Sequence, residues 1–207
     1  MIFEILAVGP LHANCFILGC EESKEGVVVD PGGDPEKIIA AVTRLGLRIT
    51  SVINTHGHFD HVGGNSKVLE HTGAELLIHG DDARFLTMAS NVAEKYGATA
   101  ENSPGPDRLL EDGMIISFGN FQMSVLHTPG HTPGGCCLYI ADEGVVITGD
   151  TLFAEGVGRT DFPGGSHEAL IESIRTKLLT LHETTRAYPG HGPATTIGHE
   201  KRNNPFI

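Results

Sequence analysis

The segment from Thr55 to His61 reads THGHFDH and sets His56, His58, Asp60 and His61 within one short run. Imidazole nitrogens and carboxylate oxygens are the usual donors to zinc, iron and manganese. In an extended segment side chains alternate faces, so His56 and His58 share one side, and a turn after them brings Asp60 and His61 to the same space. A single catalytic metal takes three protein groups and keeps one position open, so four donors at this density predict the start of a two-metal site with more ligands downstream. The chain has 12 histidines in 207 residues. At that frequency the pattern would arise by accident in roughly two of a thousand such chains, so chance is a poor account of it. Its internal position and ordinary neighbours also exclude a purification tag or a histidine-rich tract.

Three later loops have the form expected of the missing ligands, each a strand exit with glycine beside a donor. His131 lies in HTPGHTPG after FQMSVL, Asp150 ends GVVITGD, and His191 lies in YPGHGP after TTRA. Glycine lets the backbone turn tightly and come close to a crowded centre. Taken singly, His131 could be a turn residue, Asp150 a helix cap and His191 a surface histidine. The other histidines, His12, His71, His79, His127, His167, His182 and His199, have no motif partner and are read as non-ligands. His127, four residues before His131, is the one expected to support a ligand from behind.

These donors need strands to present them. IFEILAV, NCFILGC and GVVVD read as a meander of strands. Asp34 followed by Pro35 reads as an N-cap, and Ile38, Ile39, Val42 and Leu45 recur at helical spacing until Gly46. ITSVINT is then a buried strand delivering the motif on a loop at its carboxyl end. A helix from Val62 to Thr72, a strand AELLIH and a helical stretch from Asp81 to about Tyr96 follow. Residues 97 to 108 carry Gly, Pro and Asn without periodicity and read as a surface loop. GMIISFG, FQMSVLHT, CCLYIA and GVVITGD read as strands, SHEALIESIRTKLLTL as an amphipathic helix capped by Ser166, and TTRAYP as a last strand. The pattern predicts two stacked sheets with helices outside, in a single domain spanning 1–207.

Bulk properties narrow the function classes. A formal charge of −12 disfavours nucleic acid, and no lysine or arginine run contradicts that. No apolar run approaches the eighteen or so residues of a membrane span, so no membrane partner is expected. The start, MIFEILAVGPLHANCFI, lacks the basic region of a secretory signal, and the expected location is cytoplasmic. Cys15, Cys20, Cys136 and Cys137 have no metal-site spacing and read as structural, with Cys136 and Cys137 on opposite strand faces.

With THGHFDH and the later His, Asp and His, the whole chain resembles the metallo-β-lactamase superfamily, whose members carry H-x-H-x-D-H followed by those three distant ligands. The resemblance implies an α/β fold, an αββα sandwich of two mixed β-sheets with outer helices, and a binuclear site at one edge. By motif position, His56, His58 and His131 look like ligands of one metal, Asp60, His61 and His191 like ligands of the other, and Asp150 like the bridging carboxylate. Asp30, in VVVDPGGD, matches a position that supports a ligand histidine, though a plain turn-forming aspartate before Pro31 and Gly32 reads equally well. The cofactors implied are two divalent ions, zinc first, with iron or manganese also suited to this donor set.

The run GDTLFAEGVGRTDFPGGSHEALIESI and the ending RNNPFI are similar to the small glyoxalase II-like hydrolases that lack a C-terminal helical domain. That similarity implies hydrolysis of a small-molecule thioester such as S-lactoylglutathione by metal-activated water, with Asp60 helping to orient the water and Arg159 holding a substrate carboxylate. Asp161 and Pro193 stand where tyrosines would contact glutathione. The rival is an iron persulfide dioxygenase on the same scaffold, needing only His56, His131 and Asp150 as ligands. Lactam hydrolysis is a weaker alternative, and the oligomeric state is not legible.

Overall fold

Strand faces sort the apolar residues into three layers of core. The computed structural model describes all residues, Met1–Ile207. In the first half, β1 (Ile2–Val8), β2 (Ala13–Gly19), β3 (Glu25–Val29), β4 (Arg48–Ile53), β5 (Glu75–His79) and β6 (Arg108–Leu110) form one sheet in that order. Its pairs are antiparallel up to β3 and parallel from β3 to β6. In the second half, β7 (Ile115–Phe118), β8 (Phe121–His127), β9 (Cys136–Ile140) and β10 (Val145–Gly149) precede a small hairpin, β11 (Leu152–Phe153) and β12 (Gly156–Val157). With β13 (Arg186–Pro189) and β14 (Thr195–Thr196), β7 to β10 build a second sheet, ordered β14-β13-β10-β9-β8-β7. Its β10–β13 pair is parallel and its others antiparallel.

Between the sheets lie Phe16, Leu18, Val27, Val29, Ile53 and Leu77 from the first and Val125, Cys136, Leu138 and Ile147 from the second. The alternate residues of the same strands, Cys15, Ile17, Val28, Val52, Leu76 and Ile78, face outward under helices. Those helices are α1 (Pro35–Leu45), α2 (Phe59–Val62), α3 (Asn65–Thr72) and α4 (Ala89–Lys95). On the far side, Cys137 and Val146 meet Leu170, Ile174 and Ile197 of α5 (His167–Ser173), its continuation and α6 (Ile197–Asn203). Period-two alternation with both faces apolar is what a sheet covered on each side requires, and the expected sandwich is the one formed. Cys136 and Cys137 divide between two cores, and all four cysteines are buried and free.

Local readings hold with instructive exceptions. Ser166 caps α5 by accepting from the Ala169 amide at 3.3 Å. The segment continues not as α-helix but as a π turn over Ile174–Leu178. Asp34 occupies the position before α1 yet makes no side-chain cap; it is left-handed, φ 46°, and accepts from the Gly9 amide at 3.0 Å. The helix expected from Val62 to Thr72 is two helices broken at Gly63–Gly64, and the first starts early enough to carry Asp60 and His61. No helix is long and apolar enough to cross a membrane.

Parallel running of β3 with β4, and of β8, β10 and β13 with one another, puts the carboxyl ends of these strands at common edges. The sheets are tied there by the Cys136 amide donating to the Thr55 carbonyl at 2.8 Å and the Asn14 amide to the Gly190 carbonyl at 2.7 Å. The loop after β3 presses on the motif so closely that a Cβ on Gly32 would lie 1.5 Å from the Asp60 carbonyl oxygen, whereas one on Gly105 would meet nothing within 4 Å. Gly32→Ala is therefore expected to destabilise the metal-free protein by about 3 kcal/mol or more, and Gly105→Ala by under about 0.5 kcal/mol, read as urea midpoints.

Candidate metal centre

Asp30 follows β3 with its side chain fully buried and a left-handed backbone, φ 51°. One carboxylate oxygen accepts the Thr55 amide at 2.7 Å; the other accepts the Thr55 hydroxyl at 2.6 Å and faces His61 Nδ1 at 3.0 Å. His61 must then be protonated on Nδ1, which turns Nε2 toward the centre. With its proton given to Asp30, the Thr55 hydroxyl accepts from His56 Nδ1 at 3.1 Å, and His56 likewise presents Nε2 inward. His131 is set by a third device, Nδ1–H donating to the Arg159 carbonyl at 2.7 Å. Such bonds on the far nitrogen fix tautomer and ring orientation in ligand histidines. Of the two readings of Asp30, its contacts match support of His61 and not a plain turn residue.

All seven residues singled out in the sequence converge. Donor atoms of His56, His58 and His131 lie within 4.8 Å of one another, and those of Asp60, His61 and His191 do the same. Asp150 stands between the two sets, its Oδ2 3.5 Å from His131 Nε2 and 3.8 Å from His191 Nε2, and its Oδ1 3.6 Å from His61 Nε2. His58 Nδ1 faces His131 Nε2 at 2.9 Å, and Asp60 Oδ2 faces His191 Nε2 at 3.1 Å. Asp30 also falls within 4.8 Å of His56 and His61, but its oxygens are already committed to Thr55 and His61.

Two buried atoms make the test of whether this set suits metal. His56 Nε2 and Asp150 Oδ1 have no hydrogen-bond partner. A buried polar atom without a partner costs about 1–3 kcal/mol, and both atoms are aimed where a cation would satisfy them. The donor set fits divalent metal, with each triad of the size that a catalytic ion takes.

The electrostatics differ across Asp150. Burial, followed by the neighbouring imidazoles, pushes His56 well below the usual histidine range, and burial with His131 and His61 takes His58 down to about 3. These rings are neutral near pH 7 and offer lone pairs. His61 is also pushed down by burial, but Asp150, Asp60 and Asp30 outweigh that and raise it to about 10. His191 is raised in the same way, its burial overcome by Asp60 and Asp150. Burial would raise Asp60, yet His61 and His191 hold it well below the ordinary carboxylate range. A cation at this half competes with the proton that the carboxylates favour on His61, so its binding releases a proton there.

Sequence reasoning missed Asp82. Buried after β5, its Oδ2 accepts the Gly57 amide at 2.9 Å and its Oδ1 the Gly134 amide at 2.7 Å, joining the loop of His56 and His58 to that of His131. Its signal is the pair Asp81–Asp82 just after a strand; the sequence predicts a helical stretch from Asp81, but these residues form a turn, with a 3₁₀ helix only from Ala83. Nor does His127 support a ligand. It turns to the Pro133 carbonyl at 3.0 Å and stacks on His79. At the rim, Arg159 Nε and Nη2 each donate at 2.7 Å to Asp161, the guanidinium lies 4.0 Å from the Phe162 ring centre, and Phe162 meets the His58 ring edge-on at 5.3 Å.

Known proteins share the sequence pattern and the fold over the whole chain. A model of the metallo-beta-lactamase superfamily matches residues 8–191. The chain is 40% identical over 209 residues to hydroxyacylglutathione hydrolase GloC of Haemophilus influenzae, covering 100% of this chain and 98% of that one. Among solved structures it is similar to the BLEG-1 B3 metallo-beta-lactamase, TM-score 0.92 and 38% identity over 99% of each chain. It is equally close to TTHA1623 in a di-iron-bound form, TM-score 0.91 and 39% identity over 99% of this chain and 100% of that one. Fold, whole-length identity and the convergence of imidazole and carboxylate at one edge agree: the chain belongs to the metallo-beta-lactamase superfamily, among its metal-dependent hydrolases.

Proposed function

We propose that the protein hydrolyses a small-molecule thioester, S-lactoylglutathione being the reference substrate, at a centre of two divalent ions. The observation that carries this reading is the pair of donor triads on either side of Asp150, together with whole-length similarity to a protein named hydroxyacylglutathione hydrolase. His56, His58 and His131 would hold one ion and Asp60, His61 and His191 the other, with Asp150 between the two sets. Zinc suits the set, and the di-iron form of a relative makes iron the metal to test beside it. When bound, such a pair lowers the pKa of water from about 15.7 toward 7 and polarises a carbonyl.

The chain's own groups do the rest. Asp30, Thr55 and the Arg159 carbonyl keep three imidazoles in the tautomer that points Nε2 inward. As a metal ligand Asp60 would be a weak base, so its carboxylate orients water and does not carry the proton away. Phe162 covers His58 on the solvent side. Asp161 occupies the Nε and Nη2 edge of Arg159, so a substrate carboxylate taking that edge displaces it.

Metal analysis joined to three assays tests the proposal: hydrolysis of S-lactoylglutathione, oxygen consumption on glutathione persulfide, and opening of a cephalosporin. Two ions per chain with thioester turnover are expected. One iron per chain with oxygen consumption, or lactam turnover exceeding thioester turnover, overturns it. His58→Ala should lower metal content and reduce turnover more than about 100-fold; full metal and normal turnover in that variant would contradict the ligand assignment.

Arg159→Ala should raise KM for an anionic thioester severalfold while kcat changes little, because the guanidinium is solvent-exposed and the substrate carboxylate only replaces Asp161. Asp161→Asn should act oppositely and lower KM severalfold. Equal KM values across the three proteins would remove Arg159 from substrate binding.

A further inference from the structure

His58 is flanked by two phenylalanines, and each of them carries an arginine. Phe162 meets the His58 ring edge-on at 5.3 Å, and Phe85 lies 6.4 Å from it at a tilt of 50°. The guanidinium of Arg159 sits over Phe162 at 4.0 Å and that of Arg84 over Phe85 at 4.9 Å. Both distances fall inside the roughly 6 Å reach of cation–π attraction. We propose that Arg84 is a specificity-determining residue of this site, holding a second anionic group of the substrate while Arg159 takes the first. The inference rests on the thioesterase reading above for its choice of substrate.

The local fold gives Arg84 a fixed platform. It belongs with Phe85 to the 3₁₀ turn Ala83–Met88, anchored by the fully buried Leu86 and by the Phe85 amide donating to the Asp82 carbonyl at 2.9 Å. Phe85 is pressed onto Gly57, between the donors His56 and His58, so closely that a Cβ on Gly57 would lie 2.7 Å from Phe85 Cβ. The steps from His58 to Phe85 to Arg84 are 6.4 Å and 4.9 Å. Each extended residue spans about 3.5 Å, so a thiol carrier with one or two residues beyond its sulfur covers a distance of that order. Glutathione is such a carrier and ends in a carboxylate on both sides of its cysteine.

The charge of Arg84 is also uncommitted. Arg44, Arg48, Arg108, Arg159 and Arg202 each pair with a carboxylate, whereas Arg84 pairs with none. The acids just before it are turned elsewhere, Asp81 toward His79 Nδ1 at 3.7 Å and Asp82 to the amides of Gly57 and Gly134. Contact with the face of Phe85 uses none of the five N–H donors of a guanidinium. In a chain of formal charge −12, an exposed arginine with free donors beside the metal ligands is placed to receive an incoming anion.

Kinetics on two lactoyl thioesters test this, one of glutathione with two carboxylates and one of N-acetylcysteamine with none. Metal-loaded full-length wild type, Arg84→Ala, Arg84→Lys, Arg159→Ala and the double alanine variant are compared; Arg84 is exposed, so its variants should fold. Arg84→Ala is expected to raise KM for the glutathione thioester about threefold to fivefold, the size of an exposed charge pair, with kcat unchanged and Arg84→Lys recovering most of the loss. KM for the N-acetylcysteamine thioester should not move. In the double variant the two increases should multiply, as for independent contacts. An unchanged KM in Arg84→Ala, an equal rise for both thioesters, or a double variant no worse than the single ones overturns the proposal. S-methylglutathione, a thioether that cannot be hydrolysed, reads the same contact by calorimetry without turnover. Weaker binding in Arg84→Ala when wild type turns over no thioester would sink the hydrolase reading and keep the anion contact. Turnover with equal binding in both proteins, or no binding by wild type, would remove Arg84 from the site.

Discussion

The structure turns on one buried carboxylate. Asp30 gives one oxygen to the Thr55 amide and the other to the Thr55 hydroxyl and His61 Nδ1, and most of the centre follows from those bonds. They fix the tautomer of His61 directly and that of His56 through Thr55. They also hold the end of β4 against the end of β3, so the motif leaves the sheet at one place. Asp30 adopts a left-handed backbone to do this, a conformation costing about 1–2 kcal/mol outside glycine and most tolerable for Asn and Asp. The loop that follows continues the same logic, with the Gly64 amide bonded to the Pro31 carbonyl at 2.7 Å and Gly32 against Asp60. Strain at Asp30 persists because every neighbour over-determines it.

Packing seven donors at one edge sets an electrostatic problem that the chain solves in two ways. On the side of His56 and His58, burial and mutual repulsion keep the rings uncharged. On the side of His61 and His191, carboxylates from Asp60, Asp150 and Asp30 stabilise the charged imidazoles. Asp150 belongs to both halves, and its unpartnered Oδ1 marks where they meet. Cation binding beside His61 therefore competes with a proton, whereas beside His56 and His58 it meets rings already neutral.

The sequence made the donors legible because their chemistry is local: THGHFDH is dense, and each later donor follows an apolar strand and adjoins glycine. Strands were equally plain, since alternating faces such as Cys136 and Cys137 are written in period two. What escaped depends on distant contacts. Asp34 reads as a cap by position, but the Gly9 amide, 25 residues away, takes its carboxylate. Asp82 reads as helix start, and only the approach of Gly57 and Gly134 reveals its work. His127 lies close to His131 in sequence and faces His79 in space. The short pieces β11, β12 and β14 pair two residues each, too few to leave a pattern.

Substrate choice is the part least tied to the metal ligands. Arg159 serves two ends with different atoms: its backbone carbonyl orients His131, and its guanidinium binds Asp161 across Phe162. The first use is independent of side-chain identity and belongs to the geometry of the centre. The second is a surface ion pair, 57% and 67% exposed, and such pairs contribute about 0–1 kcal/mol. A substrate carboxylate displacing Asp161 therefore gives up little, whereas a neutral substrate leaves the pair undisturbed. If Arg159 binds substrate as proposed, the preference between anionic and neutral substrates rests on the exchange at Arg159, with the donor set around Asp150 unchanged.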